Sequence, residues 1–350
     1  MNDGGDGGGR GQGQEARRFA EYVAALGRGP GRSRALAREE AADALATILD
    51  GGADPYQTGA FLMLLRYRGE SAPEIAGLVD AARRAGGCGG RAERPGADLD
   101  WPSYGAGRTR EAPWFLLSAL ALAAAGFRIA MHGSNRFARG RPLGWGLEAL
   151  GLEPASSRAA AAAELAARNF TYLPIGQFDA RLDRLLGLRE LFGLRSPINT
   201  AVRLLDPFDA GAAIDGVFHP GYLDLHLDAA ALLGRPRLLV VKGGGGEAER
   251  NPVKPTAALL GTGAGRAEVS FPEFGAAARR MRDPAPIAAE DFAALWREGR
   301  EDHPAWAAAV ATIALALVAL GAAEDPGKAD TEAARIWRRR HGVAHARSSR

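Results

Sequence analysis

Apolar residues recur at spacings of three and four between residues 15 and 86: Phe19, Tyr22 and Val23, then Leu45, Ile48 and Leu49, then Phe61, Leu64 and Leu65. That period marks the buried face of an α-helix. Glycine and proline at 27–31 and 51–55 interrupt the runs, and Ser71 followed by Glu74 has the form of a capping box that opens another helix. The pattern predicts an all-helical N-terminal domain of four short helices over residues 15–86. Ahead of it, residues 1–14 hold seven glycines and no apolar run, which reads as a disordered tail. Residues 86–96, rich in Gly and Arg, read as a linker.

Past the linker the texture changes to short β-branched or leucine runs separated by alanine-rich helices. That alternation predicts an α/β domain with a mostly parallel central sheet over 97–350. Candidate strands are 128–131, 214–217 and 238–241, and the loops at their carboxyl ends are where a binding crevice is expected. Two uncharged stretches invite comparison with a membrane span. Residues 113–127 are too short, and 305–323 contain ten alanines in nineteen positions and follow Glu301 and Asp302, so a buried helix is expected and no membrane partner.

Of 350 residues 47% are hydrophobic, enough for one large core or two ordinary ones. The single cysteine, Cys88, rules out an intrachain disulfide and a cysteine-based metal cluster, and a cytoplasmic location is expected. Net charge is only +3, but residues 101–150 carry six arginines against two acids, and residues 331–350 six against one. Clustered basic charge points to a polyanionic partner. Three of the 44 basic residues are lysines, Lys242, Lys254 and Lys328.

Four segments carry candidate chemistry. Residues 128–136 run from a strand into His132-Gly133-Ser134-Asn135-Arg136, followed by Arg139 and Arg141, a set of donors suited to phosphate or carboxylate oxygens; a solvated basic loop is the plainer alternative. Lys242 and Gly243–Gly246 lead to Glu247 and Glu249, where glycines would admit a ligand and the carboxylates could hold a divalent cation, against the plainer reading of a flexible strand exit. Arg189, Arg195 and Asn199 surround a turn at 193–197, with Arg195 a candidate anion contact. Trp101, Tyr104, Arg108 and Arg110 mix aromatic and guanidinium groups, a combination suited to stacking on bases, although such aromatics are commonly core. The other histidines have no metal-ligand spacing, and no Gly-x-Ser-x-Gly elbow is present.

Taken together these segments resemble the glycosyltransferase family of anthranilate phosphoribosyltransferase and pyrimidine nucleoside phosphorylase. Residues 39–41, 57–63 and 69–70 are similar to its helical dimerisation domain, 126–136 to its strand and Lys-His-Gly-Asn-Arg loop, and 193–199 to its acceptor-contacting segment. The family's Gly-Thr-Gly-Gly-Asp diphosphate loop should fall at 101–107, where this chain has Trp-Pro-Ser-Tyr-Gly-Ala-Gly, and one acid of its metal pair is replaced by Ala248. The Asp98–Tyr104 and Gly245–Glu247 motifs resemble the YbiB subfamily of anthranilate phosphoribosyltransferase-like proteins. That resemblance implies a homodimer, joined through the N-terminal helical domain, that binds DNA or RNA without sequence preference.

The nucleic-acid contacts expected on this reading are Arg108, Arg110, His132, Asn135, Arg136, Arg139, Arg141, Arg195, Lys242, Arg338, Arg339 and Arg340. The alternative is an active phosphoribosyl or glycosyl transferase. In that case Ser134, Asn135, Arg136, Gly243 and Gly244 would bind the sugar phosphate, Arg195 and Asn199 the acceptor, and Glu247 and Glu249 Mg²⁺; no other cofactor is implied.

Overall fold

The computed structural model describes residues 8–29, 31–89, 96–105, 112–138, 140–275 and 287–340. The chain divides into two compact units. The first comprises residues 1–90, 179–205 and 228–233, and the second comprises 91–178, 206–227 and 234–350.

The first unit holds α1 (Gly8–Gly27), α2 (Arg38–Leu49), α3 (Pro55–Arg68) and α4 (Ala72–Ala85), the four helices expected from periodicity. Their inner faces bury Phe19, Leu26, Leu45, Phe61, Leu62 and Leu65. Asp54 caps α3 ahead of Pro55, and Ser71 and Glu74 form the capping box of α4. Glu74 also accepts from the buried Leu36 amide at 2.9 Å, so one side chain both starts α4 and fastens the chain ahead of α2. Helix α1 starts at Gly8, inside the segment that reads as a tail, because extending a nucleated helix costs far less than starting one. Residues 179–205, which composition assigns to the α/β domain, group with this helical unit.

The second unit runs β1 (Leu99–Ser103), α5 (Trp114–Ala124), β2 (Ile129–Gly133), α6 (Leu143–Ala149), α7 (Arg158–Arg168), β3 (Phe170–Pro174) and α8 (Ile175–Phe178). After α9 (Ala180–Phe192) and α10 (Ile198–Ala201) of the helical unit come β4 (Ala212–Val217), α11 (Tyr222–Leu232), of which residues 228–232 group with the helical unit, then β5 (Arg237–Lys242), β6 (Thr256–Thr262) and β7 (Gly265–Phe271). The chain closes with α12 (Ala289–Glu298), α13 (Pro304–Leu320) and α14 (Pro326–Arg339).

Among the described residues these strands form a seven-stranded sheet in the order β3-β2-β1-β4-β5-β6-β7. The first five are parallel, and β6 and β7 form an antiparallel edge hairpin. Strands β1, β2 and β4 are buried throughout, as parallel strands covered on both faces must be. Helix α13 is the alanine-rich segment, buried against α5 with Ser118 Oγ donating to the Ala309 carbonyl at 2.8 Å. No helix among the described residues is long and apolar enough to cross a membrane. The segment at 101–110 opens as strand rather than loop, because Leu99 and Trp101 point into the core while proline and serine complete the run.

Candidate functional site

The chain lays β2 and β3 to one side of β1 and then returns to lay β4 and β5 on the other. That reversal makes the β1–β4 junction the switch point where α/β sheets place ligands. The two strands pair only at Leu99–Ala212 and Asp100–Ala213, then part toward their carboxyl ends. Loops leaving β1, β2, β4 and β5 border the opening.

Glu247 fills it. Its Oε1 accepts from the Gly105 amide at 2.5 Å and from Ser103 Oγ at 3.2 Å, and the residue is 5% exposed. Three glycines make the space. A Cβ at Gly105, Gly216 or Gly243 would lie closer than 3.0 Å to atoms of Glu247. The glycine run after β5 therefore allows close approach, as expected, but the approach is to the chain's own residue. Two residues on, Glu249 Oε2 accepts from the Phe115 amide at 2.9 Å, in the first turn of α5. A carboxylate there meets the positive end of the helix dipole. Two backbone anion donors, one after β1 and one opening α5, are thus occupied by carboxylates of the loop that follows β5. Tyr172 is buried beside this cluster, and burial first, then the Glu247 charge, push its hydroxyl pKa upward.

A second polar chain runs beneath the β1 and β2 ends. Tyr104 hydroxyl meets His132 Nδ1 at 3.0 Å, His132 Nε2 lies 3.2 Å from Asp100 Oδ1, and Asp100 Oδ2 lies 3.3 Å from Arg235 Nη1. His132, expected as an anion contact, is 1% exposed and belongs to this internal chain. Asp100 and Tyr104 fall within the Asp98–Tyr104 motif, but sequence reasoning gave Asp100 no role and Tyr104 a stacking role rather than a place in this chain; an acid inside an apolar strand was the signal for Asp100. A further buried pair joins Asp215 Oδ2 of β4 to His226 Nδ1 of α11 at 2.5 Å, a histidine to which the sequence assigns no role.

The loop after β2 stays on the surface. The Ser134 amide donates to the Ser103 carbonyl, the Arg136 amide to Ser134 Oγ, and Asn135 packs beside Gly144. Arg136 is exposed, and Arg141 lies over the Trp145 ring at 5.2 Å. Arg108, Arg110 and Arg139 lie outside the described residues. At the end of α14 the three arginines separate. Arg340, expected as a phosphate contact, is buried over Trp296 and Trp337 and donates to both of their carbonyls, so its guanidinium satisfies acceptors at the ends of α12 and α14 instead of facing solvent. Arg338 is held by Glu301 at 2.7 Å, and Arg339 is exposed. Helix α12 links the two basic regions: Phe292 packs on Trp145, and one turn on Trp296 packs on Trp337.

Lys242, Gly243 and Gly244 line a pocket at the end of β5 together with Glu249. Arg195 and Asn199 belong to the helical unit, where Asn199 Oδ1 accepts from the Ser196 amide at 2.9 Å and so closes its own turn. The same unit exposes an apolar stripe on α3: Tyr56, Ala60, Met63 and Tyr67 fall at helical spacing, with Tyr56 88% and Tyr67 90% exposed.

A helical bundle is thus followed in the chain by an α/β sheet whose switch-point opening is filled by the chain's own Glu247. Residues 20–86 match the model described as the helical bundle domain of a glycosyl transferase family. The chain is 35% identical over 251 residues to an anthranilate phosphoribosyltransferase of Rubrobacter xylanophilus, covering 69% of this chain and 70% of that one. It therefore belongs to the anthranilate phosphoribosyltransferase family. It is also 27% identical over 244 residues to the Escherichia coli protein YbiB, covering 67% of this chain and 73% of that one. In fold it is similar to anthranilate phosphoribosyltransferase of Thermus thermophilus, with a TM-score of 0.75 at 22% identity, covering 94% of this chain and 96% of that one. The Saccharomyces cerevisiae enzyme, described in complex with PRPP and Mg, gives 0.71 at 18% identity over 95% and 96% of the two chains.

Magnesium needs several oxygen ligands in near-octahedral array. Here Glu247 and Glu249 are turned to backbone amides and Ala248 between them is buried, so the residues as arranged do not fit a magnesium–diphosphate site.

Proposed function

We propose that this protein is a homodimer that binds nucleic acid through surface arginines and does not use the switch point for a sugar diphosphate. The observation that carries the reading is Glu247 seated on the Gly105 amide and Ser103 hydroxyl. A diphosphate would have to displace a buried carboxylate and then sit among the groups that carboxylate had satisfied. Polyanion contacts fall instead to Arg136 and Arg141 after β2 and to Arg339 at the end of α14, with α12 packed between the two regions. Each phosphate neutralised on a single strand contributes about 0.7 to the slope of log affinity against log salt.

The α3 stripe supports the dimer. Large aromatic residues standing at 88% and 90% exposure on one helical face gain most by burial against a second copy. The test is fluorescence anisotropy with a labelled single strand of mixed sequence at about 50 and 200 mM salt. Binding that weakens steeply with salt is expected; binding indifferent to salt, or none, would overturn the reading.

The relative from Rubrobacter xylanophilus named anthranilate phosphoribosyltransferase favours a second reading, phosphoribosyl transfer, with Mg²⁺ suggested by the Saccharomyces cerevisiae enzyme's complex with PRPP and Mg. It requires Glu247 and Glu249 to leave their amides. Release of pyrophosphate from PRPP in the presence of candidate amine acceptors would establish it.

A further inference from the structure

Two of the three lysines in a chain that otherwise uses arginine, Lys242 and Lys254, line one pocket of about 590 Å³ at the carboxyl ends of β4 and β5. Among the described residues neither has an ion-pair or hydrogen-bond partner, whereas Arg128, Arg250 and Arg338 of the same unit are tied to Asp98, Asp330 and Glu301. The acid in the lining, Glu249, has its carboxylate on the Phe115 amide. Phe218 stands at the pocket 50% exposed, with the His219 ring nearly perpendicular to it at 4.8 Å between centroids. The space therefore combines an open aromatic face, two uncompensated ammonium groups and a volume within the range of about 300–1,000 Å³ that small ligands occupy.

We infer that this pocket receives one unstacked nucleotide of a single-stranded nucleic acid, its base against Phe218 and its phosphates on Lys242 and Lys254. The inference rests on the nucleic-acid reading above and adds to it a preference for single strands. Within a duplex both faces of every base are already stacked, so entry would cost the unstacking and unpairing of that base. A base against one aromatic ring is sequence-tolerant, because every base presents a π-face. Lysine suits the flanking contacts because a compact ammonium on a flexible stem follows a mobile phosphate without the planar geometry arginine imposes.

The experiment is an anisotropy titration of the full chain with a labelled single strand and with a hairpin duplex, for the wild type, Phe218→Ala, Phe218→Trp and the Lys242→Gln/Lys254→Gln pair. Phe218→Ala is expected to weaken single-strand binding by about 5- to 150-fold, the value of one base–aromatic stack, with an unchanged salt slope and an unchanged duplex affinity. Phe218→Trp is expected to keep the affinity, and the lysine pair to lower the slope by about 1.4. If the wild type binds single strands and Phe218→Ala binds them equally well, the pocket assignment fails while the nucleic-acid reading stands. If no nucleic acid binds, both fail together. A free mononucleotide such as AMP that binds where strands do not would make this a small-molecule site and overturn the inference.

Discussion

The run Gly243–Gly245 offers three neighbouring tests of how Glu247 is held. Gly243 has an ordinary extended backbone, φ −100° and ψ 154°, so its glycine is required by space alone. A Cβ there would lie 2.7 Å from the Glu247 carbonyl carbon and closer still to its oxygen, which is backbone and cannot rotate away. Overpacking of this kind costs about 1–3 kcal/mol. For a unit of this size each kcal/mol moves the melting point by about 2–4 °C, so Gly243→Ala should melt about 2–12 °C lower. Gly244 has nothing within 4 Å of its Cβ position and no positive φ, so Gly244→Ala should stay within about 0.5 kcal/mol of wild type. Gly245 has φ 67°, and Gly245→Ala should cost about 1–2 kcal/mol through backbone strain. All six tryptophans lie in the α/β unit, so thermal unfolding followed by their fluorescence reads the relevant structure. Equal tolerance at Gly243 and Gly244 would refute the seating of Glu247 against β5.

Converting the α3 stripe with Met63→Asp and Tyr67→Glu should yield monomers in sedimentation velocity with helical content retained; a persisting dimer would place the interface elsewhere. Arg340→Ala should destabilise the α/β unit by about 2–4 kcal/mol while leaving the salt slope of nucleic-acid binding alone, and Arg136→Ala should do the reverse. His303 caps α13 by accepting from the Ala305 amide at its Nδ1, and burial first, then the Arg300 charge, lower its pKa. The folded chain thus prefers the neutral ring, and the unfolded chain takes up the proton first as pH falls below about 6.5. Stability should therefore drop from pH 7 toward pH 5 by up to about 1 kcal/mol, the value of a helix cap, and His303→Asn should flatten that part of the profile. An unchanged pH profile in His303→Asn would remove the cap from the account.

Local signals carried the helical bundle. Periodicity and the Ser71–Glu74 box depend on residues within one or two turns, and the structure repeats them. Strands β2, β4 and β5 were legible as apolar runs; β1 was not, because proline and serine at its end read as loop while its pairing is set by β2 and β4. The glycine-rich segment after β5 was visible as a place of close approach, but what approaches is decided by Gly105 and Gly216, distant in sequence. The same limit hid the chain from Tyr104, just past the end of β1, through His132 on β2 to Asp100 on β1. The arginines of α14 looked alike in sequence. Packing against Trp296 and Trp337 separates Arg340 from Arg339.

The most direct measurement is an anisotropy titration of the protein with a labelled single-stranded oligonucleotide at two salt concentrations, repeated with excess PRPP and magnesium at matched ionic strength. With Glu247 holding the loop after β1, binding should fall steeply with salt and be untouched by PRPP and magnesium. Displacement of the oligonucleotide by PRPP and magnesium, or failure of the strand to bind at all, would contradict the claim that the switch point is closed and the surface arginines carry the function.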